Sequence, residues 1–203
     1  MEDNLKKARK YCKQIFQKSR CELLPFHNLN HTLEVYNNVK TISVFEKIPI
    51  SDLNPLLLAA LFHDTGNAFR FQGHEEVSVS YAILFMEKNG YEEDIIDLVS
   101  DYIKATRMPQ EPKNHLEKII CDADLFHLGT TSFMTKNKLI RQEWEKFLEL
   151  RYTDEAWYVL NIDFLKQHQF HTSYGKEILE PIKQQNLSGL KSKLLISRKD
   201  EVQ

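Results

Sequence analysis

Apolar residues recur at helical spacing along nearly the whole chain. Val35, Val39 and Ile42, for example, are four and three residues apart, which places them on one face of a helix. Strand-type alternation of apolar and polar residues is not evident in the sequence. The spacing predicts an all-α fold with helices at about 3–19, 28–44, 51–64, 73–89, 92–106, 112–126, 131–150, 153–168 and 172–186, followed by a short polar terminal helix that frays.

Several residues at the predicted helix ends are typical of helix termini. Asn28 and Asn30 are both suitable N-cap residues for the second helix. Thr153, followed by two acidic residues, indicates the start of another helix. Gly66 and Gly90 are suited to ending the helices that precede them.

The composition predicts one soluble domain over residues 1–203, since 42% of the residues are hydrophobic and 28% are charged. The net charge of −2 gives no reason to expect nucleic-acid binding. The longest apolar run, at 55–62, is far shorter than the roughly 20 residues that cross a bilayer, so no membrane partner is expected. The N-terminus lacks the apolar region of a signal peptide, and the three cysteines have no C-x-x-C spacing. We therefore expect reduced thiols and a cytoplasmic location.

Three of the predicted helices each carry a side chain of the metal-binding type on their apolar face. These side chains are His31, His63 and Asp124, and each has an apolar residue four positions away on the same helix. Imidazole and carboxylate groups together form the ligand set of a divalent metal ion. Taken singly, each could instead be a hydrogen-bonded core histidine or a helix cap, but three helices with the same feature favour a metal site.

Asp122 is an alternative to Asp124 in the same helix. The two are two residues apart, which corresponds to about 200° around a helix, so they cannot both face one ion. Asp124 shares a face with Leu116 and Ile120, and we therefore favour Asp124.

Three motifs in order resemble those of the HD superfamily of metal-dependent phosphohydrolases. They are H-N-x-x-H-T-L-E-V at 27–35, L-L-x-A-A-L-F-H-D-T-G at 56–66 and C-D-A-D-L at 121–125. The first and third are also similar to motifs of cyclic-nucleotide phosphodiesterases. The resemblance covers residues 27 to about 130, and implies an HD-type helical bundle with a core of about 20–130 and a helical C-terminal extension of about 131–203.

The resemblance also implies roles for individual residues. His31, His63, Asp64 and Asp124 would bind a divalent metal ion, which could be Mn, Mg, Fe, Ni or Zn. Asp64 would in addition orient the attacking water. His27 matches the general acid that protonates the leaving oxygen in the phosphodiesterases, although a solvent-facing residue at a helix start is an equal alternative.

The sequence departs from the family pattern at Asn67, where many relatives have a lysine that contacts phosphate. His74 resembles a histidine that in some relatives contacts the substrate phosphate or a second metal ion, and Lys104 and Arg107 are candidates for binding the phosphate. For each of the three, the alternative is an ordinary exposed polar residue.

These observations predict a metal-dependent phosphohydrolase that acts on a nucleotide or another small phosphorylated metabolite. One alternative is a non-catalytic nucleotide-binding module, which the missing lysine at Asn67 suggests. The other is a di-iron oxygenase similar to inositol oxygenase, which would need further histidine ligands between Asp64 and Asp124. The sequence leaves the oligomeric state open.

Overall fold

The computed structural model describes residues 2–200, with side chains described for residues 3–198. This part of the chain is helical and contains no β-strand, so the predicted all-α fold is confirmed. The α-helices are α1 (Glu2–Gln17), α2 (Leu29–Phe45), α3 (Ile50–Phe62), α4 (His74–Lys88), α5 (Glu93–Ala105), α6 (His115–Asp124), α7 (Phe133–Phe147), α8 (Asp154–Gln167) and α9 (Glu180–Asp200). None of the helices in this described part is both long enough and apolar enough to cross a membrane.

The chain forms two compact units, Met1–Asp124 and Leu125–Gln203. Helix α3 is the centre of the first unit, and it packs against α1, α2 and α5. Every residue from Pro55 to Phe62 is buried, because a helix that is apolar on all sides is stable only when neighbours cover each face. The organisation of residues 1–203 as one domain stays a prediction.

Two contacts fix the ends of α2 and α6 in the first unit. The Asn28 side chain accepts hydrogen bonds from the backbone N–H groups of Asn30 and His31, so Asn28 is the N-cap of α2. Asn38 Nδ2 donates to the carbonyl of Ala123 at 3.1 Å, which ties the last turn of α6 to the middle of α2. The beginning of α2 and the end of α6 are therefore both fixed.

Gly66 lies in the 3₁₀ turn Thr65–Ala68, directly after the His63-Asp64 pair. A Cβ atom at this position would lie 1.9 Å from the carbonyl oxygen of His74, so only glycine allows α4 to start so close to the turn. The Gly66 N–H donates to Ser78 Oγ at 2.8 Å. The sequence prediction of a helix end near Gly66 is right, but the reason is this close approach of two backbone segments.

The second unit is built around a cluster of buried apolar side chains, which are Leu128, Phe133, Ile162, Leu165, Phe170, Leu179, Leu187 and Leu190. Thr153 caps α8 by accepting from the N–H of Ala156 at 3.1 Å. The sequence predicts a helix that ends near residue 186 and a separate short terminal helix, whereas a single helix, α9, runs from Glu180 to Asp200. Leu187 and Leu190 are buried and Leu194 packs against the cluster, so apolar positions at helical spacing continue the helix beyond 187.

Candidate metal centre

Four side chains that the sequence suggests as metal ligands come together in the first unit. His31 is in the first turn of α2, His63 and Asp64 directly follow α3, and Asp124 ends α6. His31 Nε2 lies 3.2 Å from Asp124 Oδ1 and 3.5 Å from Asp64 Oδ2. His63 Nε2 lies 3.4 Å from Asp64 Oδ2 and 3.6 Å from Asp124 Oδ1. The Nε2 atom of each histidine therefore faces one oxygen of Asp64 and one oxygen of Asp124.

The four atoms fit a shared cation better than they fit one another. His63 Nε2 and Asp64 Oδ2 are fully buried, and neither makes a hydrogen bond within the described part of the chain. Buried polar atoms of this kind are costly unless a partner satisfies them. Ligands about 2.1 Å from one metal ion and at right angles to each other are roughly 3.0 Å apart, and wider angles separate them further. The observed separations match that range, and His31, His63 and Asp124 meet the geometric requirement for holding an ion.

The tautomer of His63 is suited to metal binding. Its Nδ1 faces the carbonyl of Ala60 at 2.9 Å, so this nitrogen carries the proton and the Nε2 lone pair points to the centre. Without a metal, burial would lower the pKa of His63. The negative charges of Asp64 and Asp124 outweigh this effect and raise the pKa of His63 well above its ordinary value. The site thus favours a positive charge at Nε2.

Each aspartate presents one oxygen to the centre, while its other oxygen is held by an amide side chain. Asn67 Nδ2 donates to Asp64 Oδ1 at 3.1 Å, and Gln110 Nε2 donates to Asp124 Oδ2 at 3.1 Å. Hydrogen bonds of this type orient metal-binding carboxylates. This arrangement leaves Asp64 Oδ2 and Asp124 Oδ1 directed at the two imidazoles.

Both carboxylates are held in the ionised form. Burial raises the pKa of Asp64, but the charge of His63 and the contact with His74 lower it well below the ordinary value. Burial also raises the pKa of Asp124, but the hydrogen bond from His31 and the charge of His63 lower it strongly. Two ionised carboxylates beside two imidazoles are the donor set that proteins use to hold a divalent cation.

His74 contacts the centre through Asp64. Its Nδ1 donates to the carbonyl of Phe71 at 2.8 Å, and its Nε2 lies 3.1 Å from Asp64 Oδ1. Burial lowers the pKa of His74, but the hydrogen bond and the charge of Asp64 raise it overall. Because both ring nitrogens face acceptors, the ring fits this place as an imidazolium. Contact of His74 with substrate stays a prediction.

His27 lies beside the centre, immediately before the N-cap of α2. Its ring centroid is 5.8 Å from that of His31 and 4.9 Å from that of Phe26. Its charge is among the influences that lower the pKa of Asp64. The side chain is partly exposed, so solvent reaches this edge of the site.

The two predicted phosphate-binding cations are paired with acidic side chains. Lys104 Nζ lies 3.4 Å from Asp101 Oδ1, and both side chains are more than half exposed. Arg107 forms ion pairs with Glu75 Oε2, at 3.8 Å, and with Glu76 Oε1. Their contact with a substrate phosphate stays a prediction.

Sequence reasoning missed the roles of Asn67 and Gln110 beside the metal ligands. The sequence marks Asn67 only as the loss of a lysine, although an amide three residues after Asp64 can reach its carboxylate in a tight turn. Gln110 had no comparable signal, since its contact with Asp124 depends on the path of the chain after α5. Asp122 is fully buried, but it is not among the residues that meet at the centre.

A family model described as HD domain matches residues 28–129, which make up half of the chain. The matched segment contains His31, His63, Asp64 and Asp124. No curated protein and no solved structure matches the chain. Members of the HD superfamily are generally metal-dependent phosphohydrolases, and HD domains bind divalent metal ions. With its family-model match over half of the chain and with His31, His63 and Asp124 of the motif gathered around one point, the chain belongs to the HD domain family.

Proposed function

We propose that the protein is a metal-dependent phosphohydrolase that cleaves a phosphate ester of a small metabolite, with nucleotides as the first class to test. The observation that carries the proposal is the convergence of His31 Nε2, His63 Nε2, Asp64 Oδ2 and Asp124 Oδ1. Two of these atoms are buried without a hydrogen bond in the described part of the chain. A cation at this point would satisfy all four atoms.

A divalent ion held by these side chains supplies positive charge that polarises a phosphoryl oxygen and favours the ionisation of water. Two imidazoles and two carboxylates are acceptable ligands for Mn, Fe, Ni and Zn, and the carboxylates also suit Mg. The orienting hydrogen bonds on Asp64 and Asp124 keep the ligand oxygens in place, so little reorganisation is needed when an ion enters.

The proposed reaction breaks the bond between phosphorus and the ester oxygen, and water supplies the new oxygen on phosphorus. We assign to Asp64 the orientation of this water, in addition to metal binding. His27 donates a proton to the departing oxygen, which lowers the barrier to its release. The ring of His27 lies next to that of His31 at the solvent-accessible edge of the site, which supports a role in proton transfer there.

Phosphate binding by His74, Lys104 and Arg107 completes the proposal. Lys104 and Arg107 are about half exposed and lie beside Asp101 and Glu76. A phosphate group therefore has to compete with these carboxylates, which favours a substrate with high negative charge such as a nucleotide.

A nucleotide-binding module without catalysis is the second candidate function. It is favoured by Asn67, because the residue in place of the family lysine donates to Asp64 and is 1% exposed. A buried amide that is engaged with a metal ligand does not supply the charge of a lysine.

A hydrolysis screen separates the two candidates. Nucleoside mono-, di-, tri- and cyclic phosphates are incubated with the protein and Mn²⁺, next to the variants Asp64→Asn and Asp97→Asn. We expect hydrolysis of at least one of these compounds by the wild type and by Asp97→Asn, whose side chain is exposed, and none by Asp64→Asn. Binding of a nucleotide by the wild type without any hydrolysis would favour the module, and equal activity of Asp64→Asn would contradict the proposed centre.

A further inference from the structure

Arg20 connects a distant part of the first unit to the loop after the His63-Asp64 pair. It lies in the 3₁₀ turn Arg20–Leu23, whose N-cap Ser19 accepts a hydrogen bond from the N–H of Cys21. Cys21 is fully buried. The backbone from which Arg20 extends is therefore anchored on both sides of the residue.

The guanidinium group of Arg20 makes two different contacts with the same loop. Its Nε donates to the backbone carbonyl of Asn67 at 2.7 Å. Its central carbon lies 3.9 Å from the centroid of the Phe71 ring, in a cation–π arrangement. Nη2 is buried and has no hydrogen-bond partner among the described residues. Burying this nitrogen without a partner costs free energy. The hydrogen bond to Asn67 and the stacking on Phe71 have to offset that cost.

Both residues that Arg20 contacts are connected to Asp64 Oδ1. Asn67 donates directly to this oxygen through Nδ2 at 3.1 Å. The Phe71 carbonyl accepts from His74 Nδ1 at 2.8 Å, and His74 Nε2 lies 3.1 Å from the same oxygen. Arg20, Asn67, Asp64, His74 and Phe71 thus form a closed circuit of contacts, which we call the Arg20 circuit.

We infer that Arg20 is a positioning residue for the metal centre. By holding Asn67 and Phe71, it fixes the two donors on Asp64 Oδ1 and thereby aims Asp64 Oδ2 at the metal. The inference rests on the proposed metal centre, but it requires only metal binding and not hydrolysis.

Lysine is a poor replacement for arginine at this position. A guanidinium group can donate a hydrogen bond in its plane while its flat face covers an aromatic ring, whereas an ammonium group is a compact point charge. Arg20→Lys therefore keeps the charge but loses the combined contact. This distinguishes a geometric role from a purely electrostatic one.

Titration calorimetry with Mn²⁺ tests the inference on the whole 203-residue chain. The variants are Arg20→Gln, Arg20→Lys and the control Arg70→Gln, because Arg70 Nε also donates to a carbonyl of this loop, that of Gly73 at 3.0 Å, from an exposed position. Loss of an orienting contact around a metal ligand typically lowers affinity about 10- to 100-fold. We expect this loss for both Arg20 variants and an unchanged affinity for the control.

A second measurement separates positioning from general stabilisation of the fold. The visible absorption spectrum of bound Co²⁺ reports ligand geometry, and it should change in the Arg20 variants but not in Arg70→Gln. If Arg20→Gln does not fold, Phe71→Leu removes the stacked ring and should weaken Mn²⁺ binding in the same direction. In addition, Arg20→Gln should lower the Mn²⁺ affinity less when Asn67 is already replaced by Ala, because the effects of substitutions at coupled residues are not additive.

The outcomes are distinct. A folded Arg20→Gln variant with wild-type Mn²⁺ affinity and an unchanged Co²⁺ spectrum overturns the inference. A wild type that binds Mn²⁺ tightly but hydrolyses nothing overturns the proposed phosphohydrolase and leaves the inference standing. A wild type that binds none of the divalent metals overturns both.

Discussion

Each unit contains a histidine that lies against charged side chains. The neighbouring charges are negative around the buried His63 of the first unit and positive beside the partly buried His168 of the second. In the first unit, His63 faces Asp64 and Asp124, which raise its pKa well above the ordinary value. In the second unit, His168 Nδ1 lies 3.3 Å from Lys183 Nζ. There, burial and the charge of Lys183, with smaller contributions from His171 and His127, lower the pKa of His168 to about 3.

The sign of the neighbouring charge decides whether each histidine suits cation binding or stays a neutral hydrogen-bond acceptor. An imidazole between carboxylates attracts a cation, so it can exchange a proton for a metal ion. An imidazole beside an ammonium group stays neutral and accepts a hydrogen bond. Lys183 also donates to the His168 carbonyl at 2.5 Å and pairs with Glu180 at 2.9 Å. The second cluster therefore joins α9 to the chain after α8.

The largest expected effect is the loss of one carboxylate from the metal centre. Asp124→Ala removes an oxygen that faces both His31 and His63, and we expect Mn²⁺ binding to fall below detection by calorimetry. Asp101→Ala, at an exposed position, is the matched control. If Asp124→Ala still binds Mn²⁺ tightly, the Asp124 carboxylate is not a metal ligand and the proposed centre is wrong.

Removal of the ammonium group from the second cluster should reduce stability. Lys183 is 1% exposed, and Lys183→Met leaves Glu180 and the His168 carbonyl without their partner. Breaking a buried pair typically costs about 3 kcal/mol. Urea unfolding should show this loss for Lys183→Met and little change for Lys191→Met, whose side chain is exposed.

A smaller effect on the metal centre is expected from Gln110→Ala. The substitution removes the hydrogen bond on Asp124 Oδ2 without removing a ligand, and should weaken Mn²⁺ binding by about 10-fold. Calorimetry on wild type and variant measures the ratio. Equal affinities would show that α6 alone orients Asp124.

The smallest expected effect is a pH dependence of stability from His168. Its pKa is about 3 in the folded protein and about 6.5 in the unfolded chain. The unfolded state therefore takes up a proton first as the pH falls. The stabilising contribution is complete above pH 6.5 and is lost progressively between about pH 6.5 and 3.

Because His168 is partly exposed, we expect a loss of about 1 kcal/mol from this residue between pH 7 and pH 5. Urea unfolding of wild type and His168→Gln at both pH values isolates the contribution. If the two proteins lose the same stability over this range, the environment of His168 does not keep it neutral.

The sequence predicts which side chains meet at the candidate metal centre better than it predicts the residues around them, for a physical reason. His31, His63 and Asp124 share helix faces with apolar residues, and helical periodicity is local, so a short window reveals it. The contacts of Arg20 with Asn67, 47 residues apart, depend on how the loop after Asp64 closes. No local pattern encodes that closure.

For the helix ends too, the sequence predicts features set by neighbouring residues better than features set by tertiary packing. The sequence allows Asn28 or Asn30 as the N-cap of α2, and the structure selects Asn28. Because residues after 187 are mostly polar, the sequence predicts a separate terminal helix there, but α9 is continuous. Tertiary burial of Leu187 and Leu190 outweighs that polar composition.

The N-cap of α2 has a consequence for the spacing of the two histidines around it. Asn28 stands between His27 and His31, and its side chain starts the helix by accepting from the N–H of His31 itself. His27 thus belongs to the irregular chain before the cap, while His31 is fixed to the helical ladder after it. His31 is held in register with the buried Val35 and Val39 of α2, so inserting one residue between Asn28 and His31 would turn the cap, and His27 with it, by about 100° around the helix axis. The four-residue interval in H-N-x-x-H is therefore a length constraint set by the start of the helix.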